Sequence, residues 1–145
     1  MNWHEQPTGR LMILAFRQFE EQLLRQLHHR GFIDISLSHL NIIRHLDDDG
    51  LSIVQLAREA GISKQGASKI TAELVRKNYV TVLTEPRDGR AKRVEYTPRG
   101  AALVTEAVDI VKLMEKAYLT LLGDTYHDLR KGLNQIYQYH RKEAP

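Results

Sequence analysis

The sequence predicts a mainly α-helical chain carrying one small β-hairpin. Three observations lead there. Apolar residues recur at steps of three and four through most of the 145 residues. Residues 79–97 alone switch to an alternating, β-branched pattern broken by Pro and Gly. Serine, threonine and glycine stand where helices would begin and end.

Residues 10–30 read as the first helix, with Met12, Phe16, Phe19, Leu23 and Leu27 as one stripe and Gly31 as its stop. A second helix follows Ser36, with Leu40, Ile43 and Leu46 inward, and runs to Asp47-Asp48-Asp49-Gly50. Three consecutive carboxylates do not make a calcium loop, whose ligands alternate, so they read as a solvated turn. Ser52-Ile53-Val54-Gln55 has the form of a capping box and predicts a short helix from Ile53 to Ala60. Gly61 breaks it, and Ser63 caps the next helix, which runs to about Asn78 with Ala67, Ile70, Leu74 and Val75 inward.

Strands are predicted at residues 79–84 and 93–97, around a basic turn from Glu85 to Lys92. Thr97 caps a long helix with Pro98 at its first position. Its seam is Leu103, Ala107, Ile110, Met114, Ala117 and Leu121, and Gly123 ends it. Asp124 or Thr125 caps the last helix, where Tyr126, Leu129, Leu133, Ile136 and His140 share a face.

Composition narrows the function. The longest apolar run, Leu11 to Phe16, is six residues, against about 20 for a membrane span. Residues 1–10 lack a signal pattern, so a cytoplasmic location is expected and no membrane partner. The absence of cysteine removes disulfides, thiolate metal sites and thiol switching. No nucleophile–base pair, P-loop or dinucleotide fingerprint is present, so catalysis and a cofactor are not expected. The histidines, His28, His29, His39 and His45 among them, show no metal-ligand spacing.

The net charge of +3 is unevenly placed. Residues 1–60 hold 6 basic and 8 acidic residues, residues 61–100 hold 9 and 4, and residues 101–145 hold 6 of each. The basic excess is therefore confined to one 40-residue stretch. That is the electrostatic footprint of nucleic-acid binding, or of a solvated basic face.

Residues 56–63 decide between these readings. Ala57 is small where two helices cross, Gly61 suits a tight turn of positive φ, and Ile62 plugs the turn from below. An αα-corner can imitate such a helix-turn-helix. The outward face of the second helix would carry Lys64, Gln65, Ser68, Lys69, Glu73 and Arg76, which suit base edges and phosphates in a major groove. A basic hairpin directly after such a helix makes a wing: Arg87, Arg90, Lys92 and Arg93 fall within seven residues. Arginine at its tip suits a narrow minor groove, with Asp88 orienting Arg87 or Arg90.

With these motifs in place, the chain resembles the MarR family of winged-helix transcriptional regulators. The family wing pattern, Asp-x-Arg-Asp-x-Arg and later Leu-Thr-x-x-Gly, stands here as Glu85-Pro86-Arg87-Asp88-Gly89-Arg90 and Tyr96-Thr97-Pro98-Arg99-Gly100. Ser63-Lys64-Gln65, Leu74 and Asn78-Tyr79-Val80 resemble the recognition helix and its exit. Glu85 in place of the first Asp and Gly66 in the recognition helix depart from the pattern; Gly66 permits close approach to DNA or reflects helix packing.

The resemblance implies a winged helix-turn-helix over 35–100, flanked by dimerisation helices over 10–34 and 101–145. It implies a homodimeric regulator, a repressor on a pseudo-palindromic operator in double-stranded DNA. The expected DNA contacts are Lys64, Gln65, Ser68, Lys69, Arg87, Arg90 and Lys92. Dimerisation is also expected because the first and last two helices carry more apolar surface than residues 35–100 can cover. By the same resemblance a small-molecule effector would sit among Phe16, Phe19, His39 and Tyr118; the alternative makes the aromatics core and His39 a surface or capping residue. The competing function is a winged-helix protein-interaction module, an antirepressor or scaffold.

Overall fold

The computed structural model describes residues 2–85 and 88–144, with the backbone alone at residues 85 and 88–91. After a 3-10 turn at Trp3–Glu5 come α1 (Thr8–His29), α2 (Leu37–Ile43), β1 (Leu51–Ser52), α3 (Ile53–Ala60) and α4 (Lys64–Arg76). Then follow β2 (Val80–Glu85), β3 (Asp88–Tyr96), α5 (Pro98–Leu122) and α6 (Thr125–Glu143). The expected mainly α fold with a β wing is what the chain forms. It divides into two units, Met1–Val108 and Asp109–Pro145, the boundary falling inside α5. None of the described helices is long and apolar enough to cross a membrane.

Several helix ends share one closing device. After α1, α3 and α4 a residue of positive φ turns the chain: Gly31 (99°), Gly61 (68°) and Asn78 (62°). The next amide then reaches back five residues: Phe32 to Leu27, Ile62 to Ala57 and Tyr79 to Leu74, at 2.9–3.0 Å. These are Schellman closures, and Asn is the non-glycine residue that tolerates the left-handed position best. This stops α4 at Arg76, two residues before the expected Asn78.

Other departures also have local causes. The sheet has three strands in the order β1-β3-β2, not two. Leu51 pairs with Val94 and Ser52 with Arg93, a strand too short to leave a period in sequence. The predicted turn over 85–92 is largely strand, because the β2–β3 ladder continues through Thr84–Lys92 to Glu85–Asp88 with a bulge after Thr84. The second helix ends at Ile43, though Leu46 is still buried. Val75 is exposed, and Thr71 takes a buried place on α4 instead. Asp124 makes no side-chain cap on α6: its own φ and ψ are helical, and a cap needs extended backbone.

The core of the first unit lies among α1–α4, the sheet and the start of α5, and includes Leu27, Ile42, Leu56, Ala67, Leu74, Val94 and Leu103. Tyr96 donates its hydroxyl to the carbonyls of Ile43 (2.9 Å) and Leu46 (2.8 Å), fastening β3 to the end of α2. Tyr79, fully buried, fastens three more segments. Its hydroxyl donates to Asp34 Oδ1 at 2.5 Å, and the Arg99 guanidinium lies 4.2 Å from its ring centre. Arg99 also pairs with Asp34 (3.2 Å) and donates to the Lys77 carbonyl. The Tyr79 carbonyl accepts from the Thr97 amide at 3.1 Å. A Cβ at position 100 would lie 2.0 Å from that carbonyl, so only glycine fits there. Thr97 caps α5 as expected, accepting from the Gly100 amide at 3.1 Å, and its hydroxyl donates to the Asn78 carbonyl at 2.6 Å.

Burial raises the Asp34 carboxyl, but the Tyr79 hydrogen bond and the Arg99 charge outweigh it, and the group titrates below its ordinary 3.8. Burial first, then the bond to Asp34, pushes the Tyr79 hydroxyl well above its usual range. A carboxylate depressed by folding contributes stability above its unfolded value and loses it as pH falls through the folded one. Asp34→Asn is therefore expected to cost about 1–2 kcal/mol at neutral pH. The gap between parent and variant should close as the pH drops below about 4. Urea unfolding across that range checks this; a gap independent of pH would refute it.

Candidate nucleic-acid interface

The helix-turn-helix is built from its caps inward. Ser52 and Gln55 close the expected box: the Gln55 amide donates to Ser52 Oγ (3.1 Å) and the Ser52 amide to Gln55 Oε1 (3.0 Å). Ala57 and Ala67, both buried, let α3 and α4 approach closely. Ile62 is half-buried beneath the turn. Ser63 accepts from the Gly66 amide at 3.0 Å and starts α4. A Cβ at Gly66 would come 3.1 Å from Ser63 Oγ, so the glycine relieves crowding at its own cap.

On α4, Lys64, Gln65, Lys69 and Arg76 are exposed and Ser68 is half-buried. Glu73 does not join the outward face as expected. It is half-buried and accepts from His39 Nε2 at 2.8 Å. The bond from His39, more than any other influence, holds the Glu73 carboxyl below its ordinary value. His39 itself is buried, and its Nδ1 accepts from the Ser36 amide at 3.0 Å. Ser36 and His39 thus form a capping box on α2 with histidine in the place of the usual Glu or Gln. One neutral imidazole, accepting at Nδ1 and donating at Nε2, joins the start of α2 to α4.

On the hairpin, Lys92 is exposed and Arg93 is half-buried, with Glu95 at 3.4 Å. Arg87 lies outside the described residues, and so do the side chains of Arg90 and Asp88. The candidate effector residues are distributed as follows. Phe16 and Phe19 stack at 6.2 Å on α1, with the Arg44 guanidinium 5.0 Å from the Phe16 ring and paired with Glu20. Phe16 is 43% exposed, so it is not core in this chain. His39 has the capping role described, and Tyr118 lies on α5 in the second unit. His28 Nε2 is hydrogen-bonded to the Ile35 carbonyl at 2.8 Å. Among the described residues no group of three or more His, Asp or Glu is placed to hold a metal ion.

Tyr79 and Arg99 appear in the sequence only as members of family motifs, and Asp34 gives no signal there, so the junction of the three was not foreseen. Their meeting joins segments up to 65 residues apart, and periodicity carries no trace of it.

Comparison with known proteins agrees with this architecture. Residues 33–91 match the model of the MarR family. No curated protein matches the chain. A MarR transcriptional regulator from Methanosarcina mazei Go1 superposes with a TM-score of 0.80 at 18% identity, over 94% of this chain and 97% of that one. The crystal structure of MarR gives 0.80 at 16% identity, over 99% and 96%. The S. aureus MepR–DNA complex gives 0.75 at 19% identity, over 93% and 98%.

One buried polar group on α4 lacks a partner: among the described residues, the Thr71 hydroxyl makes no hydrogen bond. Replacing it by the isosteric methyl removes a desolvated polar group. Thr71→Val is expected to raise stability by about 1 kcal/mol. Thermal unfolding checks this, and a destabilised variant would mean that the hydroxyl has a partner in solution.

Proposed function

We propose, from the match of residues 33–91 to the MarR family model, that the chain is a sequence-specific DNA-binding transcriptional regulator. One observation carries the reading. The exposed face of a Ser63-capped helix presents Lys64, Gln65 and Lys69, and a basic hairpin follows that helix directly. Such a helix lies in the major groove with its first turn toward the bases. Lysines there neutralise phosphates; Lys92 on β3, with Arg87 and Arg90 taken from the sequence alone, is suited to the backbone and minor groove. The MepR complex with DNA supports the reading, since a protein of this fold is bound to DNA there.

The regulator acts as a homodimer, through residues 10–34 and 101–145. In support, Met12, Ile13 and Phe16 on α1, and Leu129, Leu133 and Tyr137 on α6, are exposed in the single chain. Large apolar faces of that kind call for a partner. Two recognition helices would then lie about one DNA turn apart, roughly 34 Å, on a pseudo-palindromic operator. Bound there the dimer represses by occlusion. A small amphipathic effector releases it, supported by the Phe16–Phe19 stack with a cation over it.

Selection of duplexes from a random pool tests the whole proposal; a recovered palindrome supports it, and purely sequence-independent binding leaves an interaction module. Lys69→Ala should weaken binding to all duplexes alike and reduce the slope of log K against log salt by about one. An unchanged slope would place Lys69 off the phosphates. Arg90→Ala should weaken operator binding by about 1–3 kcal/mol. Unchanged affinity would remove the wing from the mechanism.

A further inference from the structure

We propose that Gln65 reads one adenine in the major groove of each operator half-site. This rests on the DNA-binding reading above and deepens it to a base.

The argument is one of elimination among side chains able to read a base edge. A carboxamide offers a donor and an acceptor in one plane. Its N–H donates to adenine N7 while its carbonyl accepts from the adenine N6 amino group, a pairing no other base offers in the major groove. Residues 35–100 contain four such side chains: Asn41, Gln55, Gln65 and Asn78. Asn41 donates to the Ala60 carbonyl at 3.3 Å. Gln55 closes the α3 capping box. Asn78 occupies the left-handed position beyond the far end of α4, a helix of 13 residues and so about 20 Å long. Gln65 remains. It is exposed in the first turn of α4, and among the described residues its amide meets no hydrogen-bond partner.

Its surroundings favour the same role. Gly66 beside it adds no side chain. Lys64 precedes it, and Lys69 lies one turn on along the same face. Lysine is a hydrated point charge that suits phosphate and carries no planar pair. The two lysines thus set the helix against the backbone, with the carboxamide between them. Ala72, also exposed, has no polar group to compete.

The test uses the full chain and its selected duplex. Each base pair of one half-site is varied in turn, and affinity is measured for wild type and for Gln65→Ala. Alanine at an exposed helical position leaves the fold standing. In wild type, one adenine should be preferred over guanine by about 5- to 150-fold. In Gln65→Ala that preference alone should vanish, with the other preferences and the salt slope kept. Replacing the same adenine by 7-deazaadenine should weaken wild type and leave the variant unaffected. A pool yielding no preferred duplex overturns the DNA-binding reading and this proposal with it. A selected site at which Gln65→Ala keeps every wild-type preference, or at which the lost preference is not for adenine, overturns this proposal alone.

Discussion

Tyr79 is the point on which the first unit depends. It follows the Asn78 turn directly, so its backbone fixes where α4 stops and β2 begins. Its carbonyl receives the Thr97 amide, which fixes where β3 stops and α5 begins. Its hydroxyl holds Asp34, in the segment between α1 and α2. The phenol, a carboxylate and a guanidinium satisfy one another there, and the Arg99 charge lies over the ring. Because the Tyr79 carbonyl closes on position 100, a side chain at that position would separate α5 from the exit of α4. The direction in which α4 leaves the core is therefore set by contacts at its C-terminal end, away from the residues proposed to meet DNA.

Much of this fold is legible in the sequence where the cause is local. Ser52 with Gln55, Ser63 and Thr97 are caps that can be read within four residues. Gly61 at the helix-turn-helix corner follows from the positive φ that such a turn needs. What was not legible depends on partners far along the chain. Glu73 reads as one more outward charge until His39, 34 residues earlier, is seen to hold it. Arg99 counts toward the basic stretch but is engaged by Asp34, 65 residues away. β1 exists only because β3 comes alongside, and two residues have no period. The candidate interface was legible in its exposed members, Lys64, Gln65 and Lys69, because exposure on a helix follows from the apolar stripe opposite.

The same comparison refines the charge argument. The excess at residues 61–100 is not one uniform patch. Arg99 belongs to the Tyr79 junction and Arg93 lies against Glu95. Lys64, Lys69, Arg76 and Lys92 stay exposed, three on α4 and one on β3. Glu73 is turned toward His39, while Lys69 and Arg76 on either side still act on its carboxylate. A buried imidazole on α2 thereby shapes the potential of a helix face to which it contributes no charge of its own.

The pairing of Leu51 with Val94 has a consequence for how the protein is made. A chain leaving the ribosome N-terminus first can form α1 to α4 from short-range contacts. The strand that precedes α3 then waits for a partner 43 residues downstream. Asp34 waits longer, for Tyr79 and then Arg99. Until β3 and the first turn of α5 have been made, the β1 edge and the Asp34 carboxylate therefore lack the partners that fasten them in the folded unit. A chain interrupted before residues 94–100 would lack the contacts that tie β1, Asp34 and the exit of α4 to the rest of the first unit.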